Sequence, residues 1–260
     1  MQVSDHRVAL QDGALFVRSW LPAAADGGAA ILLFHDSLGS VELWRDFPGL
    51  LAAATGRQVA AYDRLGFGQS TAHSGRLSAD FIGQEVQTAV PAICTALGFT
   101  RLLVFGHSVG GAMAAATAAA RPDLCEAVVT VAAQAFVEDR TIAGIEAAKA
   151  AFAAPEQFSR LTRYHGDKAR WVLDAWTETW LSSAFAGWRL DDDLRALRCP
   201  LLAIHGDADE YGSPAHPERI AALAGGGGTM AMVENCGHVP HREHPQQVIA
   251  LVQRFLSASG

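Results

Sequence analysis

The chain has 260 residues, half of them hydrophobic and 18% charged, with a formal net charge of −7. That is enough apolar material for a sizeable buried core, and the acidic balance leaves no basic stripe for nucleic acid or an anionic membrane. No basic-plus-apolar leader pattern, no membrane-length apolar run and no C-x-x-C pair among the four cysteines is present, so reduced thiols and a cytoplasmic location are expected.

In chain order, residues 8–10 and 14–20, separated by Asp12-Gly13, predict an opening β-hairpin. Residues 30–34 are unbroken apolar and predict a fully buried strand. A helix is expected over 43–54, a strand over 58–62 and a long helix over 79–97. The strand 102–105 runs into Gly106-His107-Ser108-Val109-Gly110-Gly111, and an Ala-rich helical segment follows over 112–121. A strand is expected over 125–132. The stretch 134–196 breaks the alternation, reads as helical and holds Trp171, Trp176, Trp180 and Trp188. Strands over 200–204 and 230–233 and helices over 217–223 and 246–256 complete the set. Gly225 to Gly228 reads as a flexible turn. Alternating strands and helices predict a mostly parallel sheet with ligands at the carboxyl ends of its strands.

Those ends carry the polar motifs. G-x-S-x-G between a strand and a helix is the context of a nucleophile elbow, where a sharp turn exposes a serine hydroxyl at a helix N-terminus. An isolated match is weak. Three further features add weight: His35-Asp36-Ser37-Leu38-Gly39 after the third strand, His205-Gly206-Asp207-Ala208-Asp209 after a late strand, and His238 before the last helix. Ser, Asp, His is the chain order this architecture uses.

With these motifs, together with Asp63-Arg64-Leu65-Gly66-Phe67-Gly68-Gln69-Ser70, Pro214, Gly237, Glu243 and Pro245, the sequence resembles the α/β-hydrolase superfamily over nearly its whole length. The resemblance implies an α/β-hydrolase fold, with a mostly parallel central sheet, helices on both faces and a helical cap insertion. The core would comprise 1–133 and 197–260, and the cap 134–196. It implies Ser108 as nucleophile, His238 as base and Asp209 as the acid that orients it. The family spacing selects Asp209 over its neighbours Asp207 and Glu210; Glu138 or Asp139 is a remote alternative. The backbone N–H groups of Ser37 and Val109 are the expected oxyanion donors. Leu38, Trp176, Trp180 and Val239 are the expected substrate contacts. One departure stands out: Asp36 occupies a position that is usually Gly, and it is expected to point away from the pocket.

The implied activity is that of a cofactor-free serine hydrolase on a small carboxylic ester or lactone. Carbon–carbon bond hydrolysis, enol-lactonase, perhydrolase and acyl-transfer chemistry use the same triad, and a slow-turnover receptor on this fold is the non-enzymatic alternative. An anionic lactone would need a cation from Arg160, Arg163, Arg170 or Arg189, each of which reads more simply as solvated surface. His238, His241 and His244 are spaced like metal ligands, but Pro240 and Pro245 break any shared helical face, so no metal is expected. His35, His107 and His205 read as structural groups, and Cys236 as packing. The partner expected is a small acyl substrate; a homodimer is compatible with the sequence.

Overall fold

The computed structural model describes residues 1–259. Its strands are β1 (Gln2–Leu10), β2 (Gly13–Leu21), β3 (Ala30–Phe34), β4 (Val59–Asp63), β5 (Leu102–His107), β6 (Cys125–Val131), β7 (Leu201–Gly206) and β8 (Gly228–Val233). They form one sheet in the order β1-β2-β4-β3-β5-β6-β7-β8. β1 and β2 pair antiparallel, as do β2 and β4, and the remaining pairs are parallel.

The central strands are mostly apolar because both faces are covered, and successive side chains alternate between two cores. Leu32, Phe34, Tyr62, Leu102 and Val104 face one core; Ile31, Leu33, Ala61, Leu103 and Phe105 face the other. The first core is closed by α2 (Phe81–Leu97), α3 (Val109–Ala120), α7 (Asp191–Ala196) and α8 (Ala215–Leu223). The second is closed by α1 (Phe47–Thr55) and by α10 (Pro245–Ser259), which follows the one-turn α9 (Pro240–Glu243). Each fully buried Val, Leu or Ile contributes about 1.5–3 kcal/mol, so the loops at the strand ends are carried by a stiff base. Among the described residues, no helix is long and apolar enough to cross a membrane.

The stretch 134–196 holds α4 (Asp139–Ala151), α5 (Pro155–His165), α6 (Ala169–Trp180) and α7. Leu161, Ala169, Val172 and Leu173 form a small core of their own with Phe67. Trp180, Phe185, Leu190 and Leu194 belong instead to the core beneath α3.

Two expectations are corrected. The helix expected over 43–54 is split into a 3-10 turn, Val41–Trp44, and α1, with Arg45 at φ 53° between them. Pro48 explains the split: it fits a first helical turn but not a helix interior. The turn expected over Gly225 to Gly228 is confined to 225–226, and Gly228 already opens β8. A Cβ on Gly226 would sit 2.1 Å from the Cys199 carbonyl oxygen, and one on Gly228 would sit 2.1 Å from that of Ala221. These glycines allow backbones to touch.

Candidate active site

Ser108 stands between the last residue of β5 and the first of α3, with φ 54° and ψ −127°. A non-glycine residue there is strained, and such strain persists only when the surroundings enforce it. Close packing enforces it here. A Cβ on Gly106 would lie 1.9 Å from the Gly110 carbonyl oxygen, and one on Gly110 would lie 2.1 Å from that of Phe34. The Ser108 N–H is anchored on the Val131 carbonyl at 2.9 Å. Its hydroxyl donates to Oε1 of Gln134 at 3.2 Å. Val109 opens α3, so its N–H belongs to the first turn, which lacks intrahelical acceptors.

His238 Nδ1 lies 2.8 and 3.0 Å from the two carboxylate oxygens of Asp209. Asp209 is 2% exposed, and its Oδ1 also accepts the N–H groups of Tyr211 (2.7 Å) and Gly212 (3.0 Å). Burial works against its charge, but the His238 hydrogen bond, the His238 and His205 rings and the Tyr211 amide hold its pKa below the ordinary value. For His238 burial favours the neutral ring. The bond to Asp209 and the charges of Asp209, Asp36 and Glu210 outweigh it, and its pKa is raised. The loop carrying His238 is fixed on both sides by one carboxylate: Glu243 accepts the N–H of Gly237 at 2.8 Å and that of Val239 at 2.9 Å. His107 Nε2 donates to the His238 carbonyl at 2.8 Å.

The loop after β3 is fixed by its first residue. His35 Nδ1 donates to the Asp36 carbonyl at 2.8 Å, and its Nε2 accepts the Arg64 N–H at 3.1 Å. Asp63 accepts the N–H groups of Val41 and Gln69. His165 of α5 then ties the loop to the covering helices, donating to the Leu38 carbonyl at 3.0 Å and accepting the Gly68 N–H at 2.9 Å. Lys168 donates to the carbonyls of Gly68 and Ser70. Asp36 lines the cavity and also a small adjoining pocket with His107, His241 and Arg242. Gly39 makes room for its carboxylate, since a Cβ there would lie 2.0 Å from Asp36 Oδ1.

A cavity of about 250 Å³ brings together Ser37, Leu38, Ser108, Trp176, Trp180, His238 and Val239. Every residue expected at the site is on its wall except Val109 and Asp209, which lies behind His238. Arg160, Arg163, Arg170 and Arg189 are exposed and do not line it. Trp171 and Trp188 lie elsewhere, Trp171 donating to the Gly75 carbonyl and Trp188 stacked on Phe185. Glu138 is occupied by Ser213 and His216. Burial pushes the Cys236 thiol up to about 12, so it is no thiolate. Among the described residues no group of three His, Cys, Asp or Glu is arranged to hold a metal ion.

The sequence reading missed Gln134, Thr141, Ile145, Glu210 and Tyr211 as wall residues. Gln134 had a positional signal, since it follows the carboxyl end of β6. In an NMR titration, the His238 ring is expected to take up its proton above the ordinary 6.5, whereas buried His107 should remain neutral down to about pH 4. A His238 transition below 6.5 would uncouple it from Asp209.

Comparison with known proteins follows the same lines. The model of a family described as "Alpha/beta hydrolase family" matches residues 31–251. The sn-1-specific diacylglycerol lipase ABHD11 of Mus musculus is 27% identical over 261 residues, covering 89% of this chain and 83% of the lipase. Among solved structures, a bacterial membrane phospholipase A superposes with a TM-score of 0.80 at 21% identity, over 99% of this chain and 86% of the other. The enol-lactonase from Burkholderia xenovorans LB400 superposes with a TM-score of 0.72 at 21% identity, over 97% of this chain and all of the other (100%).

Proposed function

Because this chain belongs to the alpha/beta hydrolase family, we propose that it is a serine hydrolase that cleaves a small carboxylic ester through an acyl-enzyme on Ser108. The observation that carries this reading is the convergence of the strained Ser108 and the Asp209-bound His238 on one cavity. With Nδ1–H donated to Asp209, the Nε2 lone pair of His238 is the base. The Ser108 hydroxyl leaves the Gln134 amide oxygen and passes its proton to Nε2 as Oγ bonds to the ester carbon. The carbonyl oxygen, now an anion, takes the N–H groups of Ser37 and Val109. The alcohol departs with the proton from Nε2. Water, deprotonated in turn by His238, releases the acid and restores Ser108. Asp209 stays ionised throughout and stabilises the imidazolium.

In this reading α4 to α6 form a cap, with Thr141, Ile145, Trp176 and Trp180 as its contribution to the wall. The small volume favours a short acyl chain. A series of p-nitrophenyl esters from acetyl to dodecanoyl tests it, together with fluorophosphonate labelling located by mass spectrometry. The expected result is a kcat/KM that peaks among the shortest chains, with the label on Ser108. Failure to hydrolyse any ester, with no label on Ser108, would overturn the reading.

A further inference from the structure

The cavity wall is unusual in charge. Asp36 and Glu210 both line it, and none of its described lining residues is Lys or Arg. Neither carboxylate is paired with a Lys or Arg among the described residues. The closest ring to Asp36 is His107, with Nδ1 4.0 Å from Oδ2, and burial holds that ring neutral down to about pH 4. Arg64 is the cation behind the loop. Its guanidinium donates to the Asp36 main-chain carbonyl at 2.9 Å and lies over the Phe67 ring at 4.1 Å. Its charge interacts with those of Glu85 and Asp36, and Arg242 borders Asp36 in a small adjoining pocket. Both carboxylates act on common neighbours, each raising the pKa of His238 and of Tyr211.

The same wall holds three aromatic side chains, Trp176, Trp180 and Tyr211. Trp176 and Tyr211 meet edge to face at 6.1 Å, and Tyr211 lies 4.9 Å from the His238 ring. Aromatic faces attract cations, most strongly where water is excluded. Carboxylates held in no ion pair with Lys or Arg oppose the negative charge that grows on the ester oxygen, and a positive charge brought by the substrate would offset them. An anionic substrate would meet repulsion with no cation to receive it.

We propose that this cavity selects a small ester carrying a protonated or quaternary amine, held by Asp36 and Glu210 against the faces of Trp176, Trp180 and Tyr211. The inference rests on the serine-hydrolase reading of the same site. It concerns which substrates are accepted, and leaves the bond-breaking steps unchanged.

The test uses two matched pairs. One is a p-nitrophenyl ester of an ω-trimethylammonio acid beside its carbon isostere, in which tert-butyl replaces trimethylammonium. The other is an acylthiocholine beside its carbon isostere. The first pair places the cation on the acyl side and the second on the leaving-group side. At least one cationic ester is expected to exceed its isostere in kcat/KM by about tenfold, a preference that falls with added salt. In Asp36→Asn with Glu210→Gln the cation-to-isostere ratio, measured within the same variant, should collapse toward one. Equal turnover of both members of each pair by the wild type would overturn the inference and leave the hydrolase reading standing. A preference that survives in the double variant would overturn the assignment to these carboxylates. Absence of Ser108-dependent turnover with every ester would overturn the hydrolase reading itself, and the inference with it.

Discussion

Replacing Ser108 by alanine is expected to lower kcat for a short-chain p-nitrophenyl ester by about a millionfold, the scale on which removal of an activated serine acts. No other group is placed to take over. Cys236 is buried and its thiol is pushed up to about 12, and the Ser37 hydroxyl, unlike Ser108, does not stand at a strained strand-to-helix turn. The fold should survive. Alanine bears the same backbone strain at φ 54° as serine does, so the loss is confined to the hydroxyl's bond to the buried Gln134 amide, worth about 1 kcal/mol. Stopped assays at high enzyme concentration, with thermal melts beside them, check both statements. A variant within tenfold of the wild type with an unchanged melt would remove Ser108 from the mechanism.

Asp209→Asn is expected to cost about ten thousandfold in kcat, by changing which nitrogen of His238 carries the proton. The carboxylate accepts from Nδ1–H in the protein as it stands. An amide that turns its NH2 to Nδ1 forces the proton onto Nε2, where the lone pair is needed. With the NH2 in the place of Oδ2, the amide oxygen can still receive both N–H groups, of Tyr211 and Gly212, that Oδ1 now accepts, so the loop keeps its anchor. The substitution also removes the chief upward pull on the His238 pKa and leaves burial to lower it. The sign follows directly. In the wild type kcat/KM should fall as pH drops through an ionisation above 6.5, because protonated His238 is no base. In the variant the small remaining activity should persist to lower pH. A variant that loses activity but keeps the wild-type acidic limb would contradict the assigned pairing.

The sheet was legible in the sequence because buried parallel strands leave unbroken apolar runs and the loops after them carry Gly, Asp and His at fixed places. Ser108, His238 and Asp209 could be named from those loops and from the family they resemble, and the structure brings them to one end of the sheet. Asp36 was not expected on the wall, and its carboxylate fits there because of a neighbour's missing side chain, the space above Gly39. Gln134 and Glu210 were passed over for a related reason. A lone polar residue after a strand looks like any solvated loop residue until the wall it joins is assembled. The helix expected across Pro48 failed on a purely local constraint that was visible in the sequence.

The ring of His165 touches backbone 127 residues away at Leu38 and 97 residues away at Gly68. Contacts across such stretches of chain reward the protein only after β3 and β4, which the loops of Leu38 and Gly68 follow, have paired, because the entropy of closing the intervening chain must be met first. During refolding, therefore, the sheet is expected to form before α5 docks on these two loops. A chain arrested at that stage would have native-like strand content and an open, water-filled chamber, and recovery of strand signal would precede recovery of a closed binding site.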